Sequence, residues 1–150
     1  MMKRILMMAF VATSMLLATS CGKDDDQKVF SGDSLKGTTW VANINESWTD
    51  TEDGMEMSMT IKAKMTMVFS TENTGIATLK GNMSSTFMGE SFSEPMDETE
   101  NFSYTFDGSK VTITQVDEDG ETETFVLTLN SAKTALVGSP DGYEVKFYLQ

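Results

Sequence analysis

The chain has 150 residues, with 23 acidic side chains against 11 basic ones, a single cysteine and no histidine. These counts exclude histidine general bases, histidine-ligated metals, intrachain disulfides and paired-thiol motifs. The formal net charge of −12 also excludes nucleic acid as an expected partner, because the phosphate backbone repels an acidic surface.

Residues 1–20 have the three-part layout of a secretory signal peptide. A short basic start ending at Arg4 is followed by an apolar run from Ile5 to Leu17 and then by three small residues. The apolar run is shorter than the roughly 20 residues that a membrane-spanning helix needs. We therefore expect residues 1–20 to be removed during export.

The single cysteine, Cys21, directly follows these small residues. The stretch Leu17-Ala18-Thr19-Ser20-Cys21 resembles the lipobox of bacterial lipoproteins, with the leucine one place earlier than is common. The resemblance implies that the Cys21 thiol carries a diacylglyceryl group and that acyl chains such as palmitate hold the protein on a membrane. The alternative interpretation is an unpaired thiol without a lipid.

One lysine and three aspartates follow the cysteine after a glycine: Lys23, Asp24, Asp25 and Asp26. This run resembles the export signal of Bacteroidetes surface lipoproteins, which implies an outer-membrane protein whose domain faces the cell exterior. The alternative is that the aspartates only keep a tether solvated. Residues 21–36 are mainly polar, and we expect them to link the lipid flexibly to one domain at 37–150.

Apolar and polar residues alternate through this domain with the period of a β-strand. The longest run has Met55, Met57, Met59, Ile61, Ala63, Met65, Met67 and Phe69 at odd positions. A run of that length has to bend, coil around a barrel or break near Ala63. Shorter runs with the same spacing follow it as far as Leu149.

Turn residues separate these runs. Asp107-Gly108, between Phe106 and Val111, predicts a hairpin with a type I′ turn, in which both turn residues have positive φ angles. Further reversals are predicted at Asp53-Gly54, Asn73-Thr74-Gly75, Asp119-Gly120, Asn130-Ser131 and Ser139 to Gly142. Because the runs follow one another closely, the sequence predicts about eight antiparallel strands in an up-and-down meander that closes into a barrel.

Three motifs make the domain similar to the small lipocalin-like domains of Bacteroidetes lipoproteins. They are Leu35-Lys36-Gly37-Thr38-Thr39-Trp40, Met67-Val68-Phe69-Ser70 followed by Gly75, and Asn101 to Phe106 with Asp107-Gly108. The resemblance covers nearly all of 36–150 and implies an all-β, eight-stranded lipocalin-like barrel. A META-type β domain, which has a similar Gly-Thr-x-Trp opening, and a β-sandwich are the alternative folds.

The methionine-rich run is the candidate binding surface. Methionine is flexible and polarisable, so it fills irregular gaps in a core and also suits sites for varied apolar ligands. An eight-stranded barrel has room for a packed interior or for one small ligand. Both interpretations stay open for the candidate lining residues, which are Trp40, Met59, Met65, Met67, Phe69, Phe102 and Tyr104.

Acidic residues cluster at 46–56, 90–100 and 117–123, in segments that we interpret as turns or polar loops, and the last as a turn with a solvated acidic rim. The last cluster fails the calcium-loop pattern, because placing Gly120 at the invariant glycine position puts Val126 where the final carboxylate belongs. No carboxylate pair stands out for glycoside hydrolysis, and no activated nucleophile is recognisable. We therefore predict no catalytic residues, no metal and no cofactor.

The sequence thus predicts a non-enzymatic, lipid-anchored outer-membrane protein that binds a small apolar or amphipathic ligand or a glycan, in or on its barrel. The alternative is an interaction module or accessory subunit of an outer-membrane complex, with a solidly packed barrel. A third hypothesis is an inhibitor that presents 90–100 to a protease as a protruding loop. An interior void lined by methionines favours the carrier, and a filled interior favours the interaction module.

Overall fold

A computed structural model describes residues 27–52, 55–116, 119–139 and 144–150. The predicted signal peptide, Cys21 and the predicted export signal at 23–26 lie outside the described residues. Eight β-strands follow one another: β1 (Thr39–Glu52), β2 (Met55–Phe69), β3 (Thr74–Phe87), β4 (Glu90–Phe106), β5 (Lys110–Val116), β6 (Thr122–Leu129), β7 (Ala135–Gly138) and β8 (Val145–Leu149). Across these ranges, no helix is long and apolar enough to cross a membrane.

The strands form one closed barrel in sequence order, and β1 pairs with β8 to complete it. Every neighbouring pair is antiparallel. The predicted all-β meander and its closure into a barrel are thereby confirmed. The architecture is compatible with the lipocalin-like fold that the sequence resembles.

The first four strands are much longer than the other four. β1 pairs with β8 only at Trp40 and Val41, and β4 pairs with β5 only from Ser103 to Phe106. Beyond these pairs, β1 to β4 continue out of the barrel as a four-stranded antiparallel sheet. We call this sheet the extension; it comprises 43–52, 55–64, 80–87 and 90–97.

β2 continues without a break past Ala63, where the sequence requires a bend, a coil or an interruption. Gly81 of β3 lies directly opposite Ala63. A Cβ atom on Gly81 would lie 2.1 Å from the carbonyl oxygen of Lys62, so only glycine permits this close approach of the two strands. Glycine is thus required at position 81, where the long strands pass from the barrel into the extension.

Side chains from all eight strands form a single core inside the barrel. The largest fully buried members are Trp40, Phe69, Phe147, Leu35, Met65, Met67, Ile113, Leu127, Leu136 and Val111. This set includes two methionines of the β2 run. Burial of so much apolar surface is the main source of the barrel's stability.

The segment before β1 closes one end of the barrel. Phe30 and Leu35 are both buried in the core, and the Phe30 backbone N–H donates a hydrogen bond to the Lys133 carbonyl at 2.7 Å. The Phe30 ring lies 6.0 Å from the rings of Trp40 and Phe106. The core therefore takes in side chains from before residue 37, where sequence reasoning begins the domain. We call this the closed end, and the extension lies at the opposite end.

The β4–β5 hairpin forms where Asp107-Gly108 predicts it, but the predicted type I′ turn is wrong. Of Asp107 and Gly108, only Gly108 has a positive φ angle, of 95°. The Asp107 carboxylate accepts hydrogen bonds from the backbone N–H groups of Ser109 and Lys110, at 2.9 and 2.7 Å. Aspartate stabilises a turn in this way without entering the left-handed region itself.

The acidic segment 90–100, interpreted as a polar loop, is instead the first part of β4. Its residues pair with β3 from Glu90 opposite Phe87 to Glu100 opposite Ala77. Glutamate and proline are poor strand formers, but β3 offers a complete ladder of hydrogen-bonding partners. The inhibitor hypothesis therefore loses the loop on which it depends. Most of 46–56 likewise lies in β1 and β2, with residues 53–54 outside the described ranges.

Candidate functional site

The two faces of the extension differ in chemistry. Directly paired residues of an antiparallel ladder lie on the same side of the sheet, so the register assigns each residue to a face. The face that continues the barrel interior is called the inner face. The outer face carries mainly hydroxyl, amide and lysine side chains, and hydroxyl pairs such as Ser47 with Thr60 link its strands at 2.8 Å.

Four cross-strand rows make up the inner face, each with one residue from β1, β2, β3 and β4 in that order. They are Ile44-Ala63-Gly81-Met96, Glu46-Ile61-Met83-Glu94, Trp48-Met59-Ser85-Phe92 and Asp50-Met57-Phe87-Glu90. The two central strands are therefore mainly apolar. The two outer strands alternate between acidic and large apolar residues.

Much of the inner face is open to solvent. Close to the barrel, several half-buried side chains pack against the core: Ile44, Trp48, Met83 and Met96. Further out, Met57 is 41% exposed, Phe87 is 42% exposed and Phe92 is 63% exposed. An apolar patch that continues from a core into solvent is a feature of binding surfaces, because water contact with it is unfavourable.

Acidic side chains on this side of the sheet lie beside apolar ones. Glu46 is paired with Ile61, and burial raises the pKa of the Glu46 carboxyl. Glu98 lies opposite Leu79 at the mouth of the barrel; burial raises its pKa first, and the negative charge of Glu100 raises it further. These carboxylates therefore gain from an additional positive charge placed near them.

Lysines lie on the opposite face. Within β1 to β4 the described lysines are Lys62, Lys64 and Lys80, and the register places all three on the outer face. There Lys80 forms an ion pair with Asp97, with 3.4 Å between Nζ and the carboxylate oxygen. The extension is thus electrostatically two-sided, with acids and apolar groups on the inner face.

Six of the seven predicted lining residues meet in the barrel core: Trp40, Met65, Met67, Phe69, Phe102 and Tyr104. The Phe69 ring packs edge-on against those of Phe102 and Tyr104, with centroids 5.4 and 4.7 Å apart. The Tyr104 hydroxyl donates to the Thr71 carbonyl at 2.7 Å, and its pKa is raised by burial and then by Glu72. The seventh residue, Met59, lies apart from them on the inner face of the extension.

A concavity lies on the outside of the barrel, where β4 separates from β5. Its volume is about 540 Å³, and it is lined by Ser70, Thr74, Gly75, Ile76, Asn101, Phe102, Ser103, Thr114 and Val116. Its polar groups are uncharged hydroxyls and one amide, which both donate and accept hydrogen bonds. The lining is therefore uncharged and combines these polar groups with the apolar side chains of Ile76, Phe102 and Val116.

No protein-family model, curated protein or solved structure matches the chain. Among the described residues, no group of three or more acidic or cysteine side chains could hold a metal ion. The inner face is the candidate site on its own chemistry, because it is a broad apolar surface with carboxylates along both edges.

Sequence reasoning identified the methionines of β2 but missed the residues that extend them into a surface. These are Trp48 on β1, Phe87 on β3, and Phe92 and Met96 on β4. Phe92 and Met96 have the even spacing of one strand face, and this was the available signal. Glutamates fill the even positions between and beyond them, so the segment resembles a solvated loop in sequence.

Proposed function

We propose that this chain is a non-enzymatic binding protein that takes an apolar or amphipathic ligand on the inner face of the extension. A lipid on Cys21 anchors it in the outer membrane, and its domain faces the cell exterior. The observation that carries the proposal is the continuity of the apolar surface, which runs from the buried core to Met57, Phe87 and Phe92 in solvent.

The filled barrel supports binding on the barrel rather than inside it. Met65 and Met67, which a carrier of the lipocalin type would use as lining, are each 1% exposed and lie in the core cluster. A ligand in their place would have to displace packed side chains, at a cost of several kcal/mol. The open face offers apolar contact without that cost.

The position of the N-terminal segment supports an anchor at the far end from the ligand. Phe30 and Leu35 are held at the closed end, and β1 runs from there through 14 residues to the tip of the extension, about 46 Å away. Nine residues separate Cys21 from Phe30 and span at most about 30 Å, so a lipid on Cys21 would join the domain at its closed end. This attachment leaves the inner face free to project away from the membrane.

An accessory subunit of an outer-membrane complex is the second candidate function. The same filled barrel favours it, because an interaction module needs no cavity. Its partner would use the same apolar face, so the two candidates differ in what occupies the face and not in where binding takes place.

A neutral solvatochromic dye, Nile red, tests the site in a mature chain carrying Cys21→Ser. We expect saturable binding with a blue-shifted emission, weakened about fivefold or more in the double variant Met57→Thr/Phe92→Thr. Threonine retains strand propensity, so the fold should persist. The matched control is Val68→Thr/Val126→Thr, which alters exposed valines on other surfaces. Equal binding by both variants would contradict the proposal.

A further inference from the structure

The acidic residues of the inner face restrict what can occupy it. They lie on the two outer strands, Glu46 and Asp50 on β1, with Glu90 and Glu94 on β4. The central strands, which carry Ile61, Met59 and Met83, have no charged residue on this face. An occupant therefore meets apolar side chains along its middle and negative charge along both of its flanks.

The dimensions of the face match those of one helix. Four strands about 4.8 Å apart span about 14 Å, and the rows from Ile44 to Asp50 extend about 20 Å along the strands. An α-helix with its side chains is about 10–12 Å across, and about 14 residues cover 20 Å. A helix lying along the strands would cover the apolar centre and bring its flanks close to both acidic edges.

The aromatic residues on the edges favour a cationic occupant as well. Trp48 lies between Glu46 and Asp50 along β1, and Phe92 lies between Glu90 and Glu94 along β4. A lysine or arginine can place its apolar stem and its charge against an aromatic ring while its head group reaches a neighbouring carboxylate. Each edge repeats this acid, aromatic, acid order.

We propose that the inner face binds a partner protein through a cationic amphipathic helix, with the apolar stripe of the helix on β2 and β3 and its basic flanks on β1 and β4. Methionine-rich apolar surfaces adapt to different helices, and helix-in-groove recognition uses apolar anchors at i, i+3, i+4 and i+7. The inference rests on the proposed function, because it uses the same site, and it names the occupant as a helix of a protein partner, as in the second candidate function. The raised pKa values of Glu46 and Glu98 agree with carboxylates that a cation would stabilise.

The test uses the mature chain with Cys21→Ser and three synthetic peptides of about 18 residues. The first places leucines at helical spacing and lysines elsewhere, the second replaces each lysine by glutamate, and the third scrambles the lysine peptide so that it has no apolar stripe. None contains an aromatic residue, so tryptophan emission reports on the protein. Trp48 lies at the site, while Trp40 is fully buried.

We expect only the lysine peptide with the apolar stripe to bind, with a change in Trp48 emission and a gain of helical circular dichroism. Glu46→Gln/Glu94→Gln, which neutralises both ends of one row, should weaken its affinity about tenfold. The matched variant Glu56→Gln/Asp97→Asn makes the same change in charge on the outer face and should alter the affinity less than about twofold. Raising the salt concentration from about 0.05 to about 0.5 M should also weaken binding of the lysine peptide to the unaltered inner face, because salt screens the attraction between the charges.

Three outcomes would overturn the inference. If Nile red binds but the lysine peptide binds no better than the glutamate peptide, the apolar site stands and its cationic occupant does not. If both charge variants lower the affinity for the lysine peptide equally, the peptide is attracted by the net negative charge of the chain and not by the carboxylates of the inner face. If neutral phosphatidylcholine vesicles bind through Met57 and Phe92 while the peptide does not, the occupant is a lipid. Failure of Nile red and peptide together would instead remove the proposed function itself.

Discussion

Asp107 shows how one side chain can hold a hairpin together. Its carboxylate accepts hydrogen bonds from the backbone N–H groups of Ser109 and Lys110, and the latter also interacts with it through charge. The hydrogen bonds from Lys110 and then Ser109 are the main reasons that the pKa of Asp107 lies below its ordinary value. Because these bonds stabilise the ionised form, they link the stability of the hairpin to pH.

Replacing Asp107 by asparagine should reduce the change in the free energy of unfolding between neutral and acidic pH. A carboxylate with a lowered folded pKa stabilises the protein above its unfolded pKa of about 3.9, and this contribution is lost as the pH falls through the folded value. We expect Asp107→Asn to be less stable than the wild type at pH 6, and the difference to shrink on acidification below about pH 4. Urea unfolding midpoints measured across this range test it, and a constant difference would refute the assignment.

The β3–β4 hairpin is the element that creates the candidate site, and it contains the least expected turn. Met88 and Gly89 both have positive φ angles, of 52° and 83°, the combination that sequence analysis assigns to Asp107-Gly108. Methionine is costly in the left-handed region, whereas asparagine is tolerated there. Met88 is also 68% exposed, so packing does not account for its presence.

Met88→Asn should therefore stabilise the protein, by about 1 kcal/mol, because Asn-Gly is the favoured sequence of a type I′ turn. The measurement is the urea midpoint, with thermal unfolding as a second probe. Asn82→Ala, an exposed outer-face change in the same hairpin, serves as the control. Unchanged or reduced stability in Met88→Asn would show that the left-handed conformation costs methionine little here.

At the scale of the whole molecule, one end of the barrel is closed and the other is open. One end is closed by the segment before β1, whose Phe30 packs against Trp40 and Phe106. The other end continues into an open sheet, because β1 to β4 are long while β5 to β8 are short. Buried apolar surface is thus concentrated in the closed barrel, whereas the inner face of the extension leaves apolar side chains exposed.

Removal of the Phe30 side chain should destabilise the barrel, although sequence reasoning places this residue in a tether. We expect Phe30→Ala to lower the free energy of unfolding by about 3–5 kcal/mol, as for other buried phenylalanines. Its neighbour Val29 is 61% exposed, so Val29→Ala should change stability by less than about 0.5 kcal/mol. Urea unfolding of both variants decides the matter. A similar small effect of the two changes would mean that the segment contributes little to the fold.

Sequence reasoning worked best where local pattern and final structure agree. The alternation from Met55 to Phe69 predicts β2, and Asp107-Gly108 predicts the β4–β5 hairpin, because side-chain period and turn residues are local properties. It worked least well for 90–100 and for Phe30. The segment 90–100 has poor local strand propensity, so its sequence does not predict a strand. Phe30 lies in a mainly polar stretch, so the sequence around it does not predict burial.

The sequence by itself determines the all-β class, the period of the strands and the meander order, since alternation and turn chemistry depend only on neighbouring residues. Tertiary structure decided which alternating residues are covered. The register with β3 made the acidic segment 90–100 the larger part of β4, and because β5 to β8 are short, the apolar side chains of that segment have no strand to cover them. The physical reason is that burial depends on which strand lies alongside, and strand length and pairing are properties of the whole barrel.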